Sequence, residues 1–308
     1  MSARLFLSSG DLIADRRFDF ARDLQLRGDL AAAADLMEQA VELAPNFASA
    51  WFALGELRQE LNQHDAAIIA YRRACATDPD DRHGARLRLI RLGAEPLAEM
   101  SQGYVRALFD QYAPKFDTAL RGDLNYRGPE IVLRAVTAAC QAANKPVAFH
   151  HALDLGCGTG LAGSVFASMV EIIDGFDLSP GMLAQARATG LYARLAEADM
   201  VAALRAEADA SADLVLAADA MVYLGDLKPL CSEVARVLTP GGLFAFTVEA
   251  HAGDGFSLGA GLRYTHSESY LRTVVGAAGL MLRDLSVAAT RTDGGVAVPG
   301  YVLVAEKP

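Results

Sequence analysis

Ala152-Leu-Asp-Leu-Gly-Cys-Gly-Thr-Gly160 reads as a strand running into a glycine-rich turn that opens a helix. Gly156, Gly158 and Gly160 permit positive φ and let the backbone come close to a ligand, whose anionic end can sit at the helix N-terminus. Asp154 precedes the turn, and the spacing is G-x-G-x-G rather than the G-x-G-x-x-G of dinucleotide folds. The next apolar run ends in Asp177, within Gly175-Phe-Asp-Leu-Ser-Pro-Gly-Met182, where a carboxylate can accept two hydrogen bonds from a ribose diol. Glu197-Ala-Asp199-Met200 brings a further acid to a strand end. An acidic crevice of this kind discourages a pyrophosphate and suits a cationic sulfonium carrying a ribose and an adenine.

One reaction open to a bound sulfonium is transfer of its methyl group by in-line displacement, which would require aligned partners and excluded water, with a general base only if the acceptor starts protonated. Ala217-Ala-Asp219-Ala-Met-Val-Tyr223 lacks the Asn-Pro-Pro-Tyr-like pattern of base methylation, and no Pro-Cys nucleophile occurs. Asp219 and Tyr223 are candidates for contacting cofactor or acceptor, or Asp219 simply caps a helix. His251 lies past the fifth apolar run, and Arg263, Tyr264 and His266 bring a cation, a phenol and a titratable base to one short loop. That cluster is expected to meet the acceptor. Tyr104, Phe109, Tyr112 and Phe116 recur at helical spacing and either roof the cofactor or pack a core.

These residues need elements to hold them. From Val147 on, short apolar runs alternate with helical segments: strands near 149–155, 171–177, 191–196, 213–218 and 242–249 predict a parallel sheet covered on both faces. A helix near 267–278 leads to strands at about 280–290 and 296–305, joined by Thr292-Asp-Gly-Gly. The first hundred residues are helical in pattern and repeat. Phe20/Leu54, Ala21/Gly55, Ala33/Ala67, Met37/Tyr71, Ala40/Ala74 and Pro45/Pro79 share the tetratricopeptide period, and Trp51, Leu54, Gly55, Ala67, Tyr71, Ala74 and Pro79 resemble that family's consensus. Two repeats require a capping helix near Asp81 or another surface to lean on. The expected division is a repeat domain over 1–95, a helical lid or linker over 96–146, broken at Pro114 and Arg121-Gly122-Asp123, and an α/β domain over 147–308.

Across about residues 147–306 the chain resembles the class I S-adenosylmethionine methyltransferases, a Rossmann-like seven-stranded sheet with a final antiparallel hairpin. The resemblance implies that the glycine turn with Asp154 and Cys157 holds the methionyl part, Asp177 the ribose and Asp199 the adenine amino group. Leu178, Met182, Met200, Ala217, Tyr104 and Tyr112 are the further cofactor contacts expected. Asp213-Leu-Val-Leu-Ala-Ala-Asp219, Leu238-Thr-Pro-Gly-Gly242, Arg263-Tyr-Thr-His266 and Phe109-Asp-Gln-Tyr-Ala-Pro-Lys-Phe-Asp117 are similar to bacterial predicted methyltransferases with N-terminal tetratricopeptide repeats. The resemblance implies S-adenosylmethionine as cofactor but supplies no substrate; the leading expectation is a small-molecule acceptor, with residues 99–143 as lid. A protein methyltransferase that recruits its substrate protein through the repeats, and a non-catalytic cofactor-binding regulator, are the alternatives.

Composition narrows the partners. With 28 Lys+Arg against 38 Asp+Glu, a formal charge of -10 opposes a grip on nucleic acid. The four cysteines lack metal-ligand or disulfide-framework spacing, so no metal is expected and a reducing cytoplasm fits best. No signal peptide or membrane span is expected either.

Overall fold

The computed structural model describes residues 5–113 and 126–308 and divides the chain into two units, Met1–Gln111 and Tyr112–Pro308. Phe116, Lys115, Pro114 and the Arg121-Gly122-Asp123 cluster lie outside the described residues.

The first unit is built from helix pairs: α1 (Leu12–Leu26) with α2 (Leu30–Leu43), α3 (Ala48–Glu60) with α4 (His64–Thr77), then α5 (Ala85–Arg91) and α6 (Gln102–Tyr112). Asp11 caps α1 by accepting from the Ile13 and Ala14 amides, and Asp29 caps α2 through Ala32. The small residues of the repeat explain themselves in the packing. A Cβ on Gly55 would lie 2.5 Å from Tyr71 Cε1, so only glycine lets α3 close on the buried tyrosine of α4. Ala14, Phe18, Ala33, Met37, Phe47 and Leu54 fill the space between the pairs.

The second unit begins with α7 (Gly128–Ala142), followed by β1 (Phe149–Leu155), α8 (Leu161–Phe166), β2 (Val170–Asp177), α9 (Pro180–Thr189) and β3 (Arg194–Glu197). After them come α10 (Met200–Ala206), β4 (Ala212–Ala217), α11 (Lys228–Val237) and β5 (Leu238–Ala250). The chain closes with β6 (Phe256–Leu258), β7 (Tyr264–His266), α12 (Glu268–Ala277), β8 (Met281–Val287), β9 (Thr292–Asp293), β10 (Val296–Ala297) and β11 (Gly300–Glu306). Strand order is β3-β2-β1-β4-β5-β11-β8, parallel through β5, with β11 antiparallel to both neighbours. This path is the seven-stranded order with a final antiparallel pair that the sequence implied; β7, beside β5, and β6 enlarge the sheet to nine strands. Burial on both faces accounts for the uninterrupted apolar runs: Leu153, Val215 and Phe246 pack toward α11 and α12, while Ala152, Leu214 and Ala245 pack toward α7.

Three local features differ from the sequence expectation. Residues 264–266 are a strand, not a loop: β7 pairs in parallel with β5 at Glu249 and Ala250, and antiparallel with β6. Thr292-Asp-Gly-Gly does not join β8 to β11 directly but closes its own ribbon, β9 with β10, because Gly294 and Gly295 both take positive φ. The helix from Gly128 covers the sheet with Ile131, Val132, Ala135 and Val136 instead of acting as a lid. Among the described residues no helix is long and apolar enough to cross a membrane.

Candidate functional site

The parallel strands β1, β2, β3 and β4 deliver their C-terminal ends to one edge, where Asp154, Asp177, Asp199 and Asp219 lie at or just beyond them. Crossover connections leave a crevice at this edge, outside the carboxyl ends of the strands. After Asp154 the backbone turns through Gly156 (φ +68), Gly158 (φ +54) and Gly160 (φ +94), the last capping α8. The turn is clamped to β2, since the Gly156 and Cys157 amides donate to Phe176 O at 2.8 and 3.0 Å. Asp177 ties the same turn to the next helix: Oδ2 accepts from the Gly158 amide at 2.9 Å and Oδ1 from the Ser179 amide at 2.8 Å. The carboxylate thereby bridges the turn and the start of α9.

Asp154 is 1% exposed, and its Oδ2 accepts from Tyr192 Oη at 2.7 Å while Oδ1 is buried without a hydrogen-bond partner. Burial pushes this carboxyl up to about 7, against the Tyr192 bond and with help from Asp177. Tyr192 was not anticipated. Its ring fills a slot made by glycines, for a Cβ would meet it at 3.0 Å from Gly160, 2.5 Å from Gly163 and 2.8 Å from Gly175. Asp199 caps α10, Oδ1 accepting from the Val201 and Ala202 amides at 3.0 and 3.1 Å. Met182 is fully buried, Met200 half-buried, Leu178 follows Asp177 at the strand end, and Ala217 closes β4 in the core. Tyr104 belongs to the first unit, where its ring packs over Gly84; Tyr112 is exposed at the end of α6.

A second polar group forms beyond β4 and β5. Asp219, at φ +58, donates its amide to Thr247 Oγ1 at 2.8 Å and does not cap a helix. Its carboxylate accepts from Arg291 at 3.2 and 3.3 Å and from Thr290 Oγ1 at 3.1 Å. Arg291 also binds Glu249, which lies 3.6 Å from Arg263. Arg263 Nε donates to Tyr223 Oη at 3.3 Å, with the guanidinium over the Tyr223 ring. Burial raises the Asp219 carboxyl, and Arg291 and Arg263 oppose it. Tyr126 is also pushed up, by burial first and then by the Asp219 and Asp154 charges; its Oη donates to Ala218 O at 3.4 Å.

The expected Arg263-Tyr264-His266 cluster divides here, because neighbours in a strand point to opposite faces. Arg263 joins Asp219, Tyr223 and Glu249. Tyr264 and His266 turn the other way, against Phe256 and Gly225. His266 is fully buried, Nε2 donates to Gly225 O at 2.9 Å, and burial pushes its pKa down to about 4. It is a packed neutral imidazole rather than a titrating base. Glu249 was legible as an acid closing an apolar run, the same signal as Asp177. Arg291 and Tyr126 had none, since each sits in an irregular connection.

Residues 153–246 match the methyltransferase domain family, and residues 24–89 match the tetratricopeptide repeat family. The chain joins tetratricopeptide repeats to a methyltransferase domain. Methyltransferase-like protein 27 of Homo sapiens is 33% identical over 149 residues, 47% of this chain and 58% of that protein, so less than two thirds of the relative is spanned. The chain also resembles the crystal structure of the [4+2]-cyclase SpnF (TM-score 0.52, 22% identity, 69% of this chain and 98% of that one). A second likeness is Burkholderia thailandensis 1,6-didemethyltoxoflavin-N1-methyltransferase (TM-score 0.51, 17% identity, 69% and 92%). These likenesses fix the fold; one fold serves a cyclase and a methyltransferase, so activity must be argued from the site.

The methyltransferase domain fits the S-adenosylmethionine that the sequence resemblance implies. Glycine leaves room at the turn, where a Cβ on Gly156 would come within 2.6 Å of Ala220 Cβ. Asp154 Oδ1 is buried without a partner and, in the ionised carboxylate, is an acceptor suited to a cationic donor.

Proposed function

We propose that the second unit transfers a methyl group from S-adenosylmethionine to a small-molecule acceptor. The observation that supports this reading is the Asp177 carboxylate, bonded at once to the glycine turn and to the start of α9, which sets an acid at the end of β2 beside a backbone cradle. Asp154 and the turn would hold the methionyl end, Asp177 the ribose, and Asp199, through the oxygen not used in capping, the adenine amino group. Bound there, S-adenosylmethionine supplies an electrophilic methyl carbon on a sulfonium.

Arg263 and Tyr223 face the acceptor side, and Arg291 is locked by Asp219 and Glu249 as a fixed wall. Asp219 is committed to that ion pair and His266 is buried, so neither removes a proton. An acceptor nucleophile that carries its lone pair unprotonated at neutral pH suits this arrangement. Every residue of the polar group belongs to the second unit, which supports a small acceptor over a protein recruited by the repeats.

The test is calorimetric binding of S-adenosylhomocysteine, followed by a screen of metabolites with methyl-labelled cofactor. Asp177→Ala should weaken binding by about 1.5–3 kcal/mol, the loss of charge-assisted hydrogen bonds. Unchanged affinity in that variant would remove the ribose assignment.

A further inference from the structure

The segment before α1 runs extended, and its residues alternate in exposure from Leu5 to Gly10. It crosses the beginnings of three alternate helices, α1, α3 and α5. Asp15 lies in the first turn of α1, Ser49 in the first turn of α3 and His83 just ahead of α5, each 34 residues from the last. Every second residue of the segment meets one of them. Asp15 Oδ1 accepts from the Ser9 amide at 2.9 Å and Ser9 Oγ at 2.7 Å, and Oδ2 accepts from Ser8 Oγ. Ser49 Oγ accepts from the Leu7 amide at 2.8 Å and donates to Leu7 O at 3.3 Å. Ser49 Oγ also lies 3.0 Å from His83 Nε2, whose Nδ1 is 3.5 Å from Asp78 Oδ2. Burial pushes the His83 pKa down, opposed by Asp78 and, more weakly, by a hydrogen bond to the Leu5 backbone. Between these points Phe6 sets its ring 5.1 Å from Phe18 and 5.9 Å from Phe47.

The period of an extended chain is thus matched to the period of the repeat. The hydrogen bonds to residue 7 go to main-chain atoms, which any peptide supplies, whereas Phe6 and the Ser8-Ser9 pair contribute side chains. Burial alone would raise the Asp15 carboxyl, but the bonds from Ser8 and Ser9 hold it below the usual range, so the carboxylate is set for donors. Phe6 remains 44% exposed, so the segment is laid on the row rather than sealed into it.

We propose that Asp15, Ser49 and His83 form a receptor row for an extended peptide, and that residues 5–10 are its tethered, displaceable occupant. The partner that fits is a peptide with an aromatic residue followed by two hydroxyl residues in the Phe6-Leu7-Ser8-Ser9 spacing. The tether gives the internal segment an effective concentration of order millimolar, so a free peptide competes only when the segment is loosened or the peptide binds more tightly. Methyl transfer plays no part in this inference.

The test uses the full chain and the fluorescein-labelled hexapeptide Leu-Phe-Leu-Ser-Ser-Gly. The double variant Phe6→Ala, Leu7→Gly should bind this probe at least about tenfold more tightly than the unsubstituted protein, and adding Ser49→Ala should abolish the gain. In the unsubstituted protein, millimolar unlabelled hexapeptide should speed amide exchange at Leu7 and Ser9 and leave α3 unchanged. Equal probe affinity in both proteins, or exchange at Leu7 and Ser9 that does not respond to the peptide, would overturn the proposal.

Discussion

Asp154 holds a proton that its unfolded counterpart would release. Its folded value of about 7 lies above the roughly 3.9 of a free aspartate, so the stability it contributes is complete below about pH 4 and lost as pH rises through about 7. Asp81, raised to about 6 by burial, acts in the same direction, so the comparison with a variant isolates the site. Melting temperatures of the ligand-free protein should fall between about pH 5 and pH 8, and fall less in Asp154→Asn. Arg263 makes a different prediction, because its partners Tyr223 and Glu249 belong to the outer polar group. Arg263→Ala should leave S-adenosylhomocysteine affinity within about twofold while turnover with an identified acceptor drops by about tenfold or more. Affinity and turnover falling together would place Arg263 against the cofactor.

Tyr192 couples elements. Standing just before β3, it reaches across β2 to the end of β1, and the glycines of α8 and β2 are what let it lie there. In Gly163→Ala the new Cβ would sit 2.5 Å from Tyr192 Oη, so the tyrosine must move and Asp154 must lose its donor. Overpacking of this kind costs about 1–3 kcal/mol, read as a lower melting temperature and weaker cofactor binding. Because Tyr192 Cζ would also lie 2.6 Å from the new Cβ, adding Tyr192→Phe should restore neither the melting temperature nor the affinity. A Gly163→Ala protein that melts and binds unchanged would show that the slot is looser than this packing requires. Strand β7 gives the companion lesson: three residues of pairing to β5 and β6 send Arg263 and His266 to different surroundings.

At the scale of the molecule, the division after Gln111 predicts that residues 112–308 fold alone and keep S-adenosylhomocysteine affinity, checked by circular dichroism and calorimetry. A chain cut near residue 95 would instead carry α6 away from Asp80 and Gly84, its partners in the first unit. An unfolded spectrum from residues 112–308 would show that the second unit is not autonomous. What the sequence determined by itself is whatever local periodicity encodes: the repeat period with Gly55 and Tyr71, the five parallel strands, the glycine turn, and the acids at strand ends. Those signals survive because each is written within a few neighbouring residues whose backbone conformation and burial are nearly fixed by their type. The tertiary structure alone decided which distant groups share a buried space: Tyr192 with Asp154, Arg291 with Asp219 and Glu249, and His266 with the Gly225 carbonyl rather than with an acceptor. Those pairings lie 38 to 72 residues apart and depend on strand order and on which face a side chain takes, so no local pattern contains them.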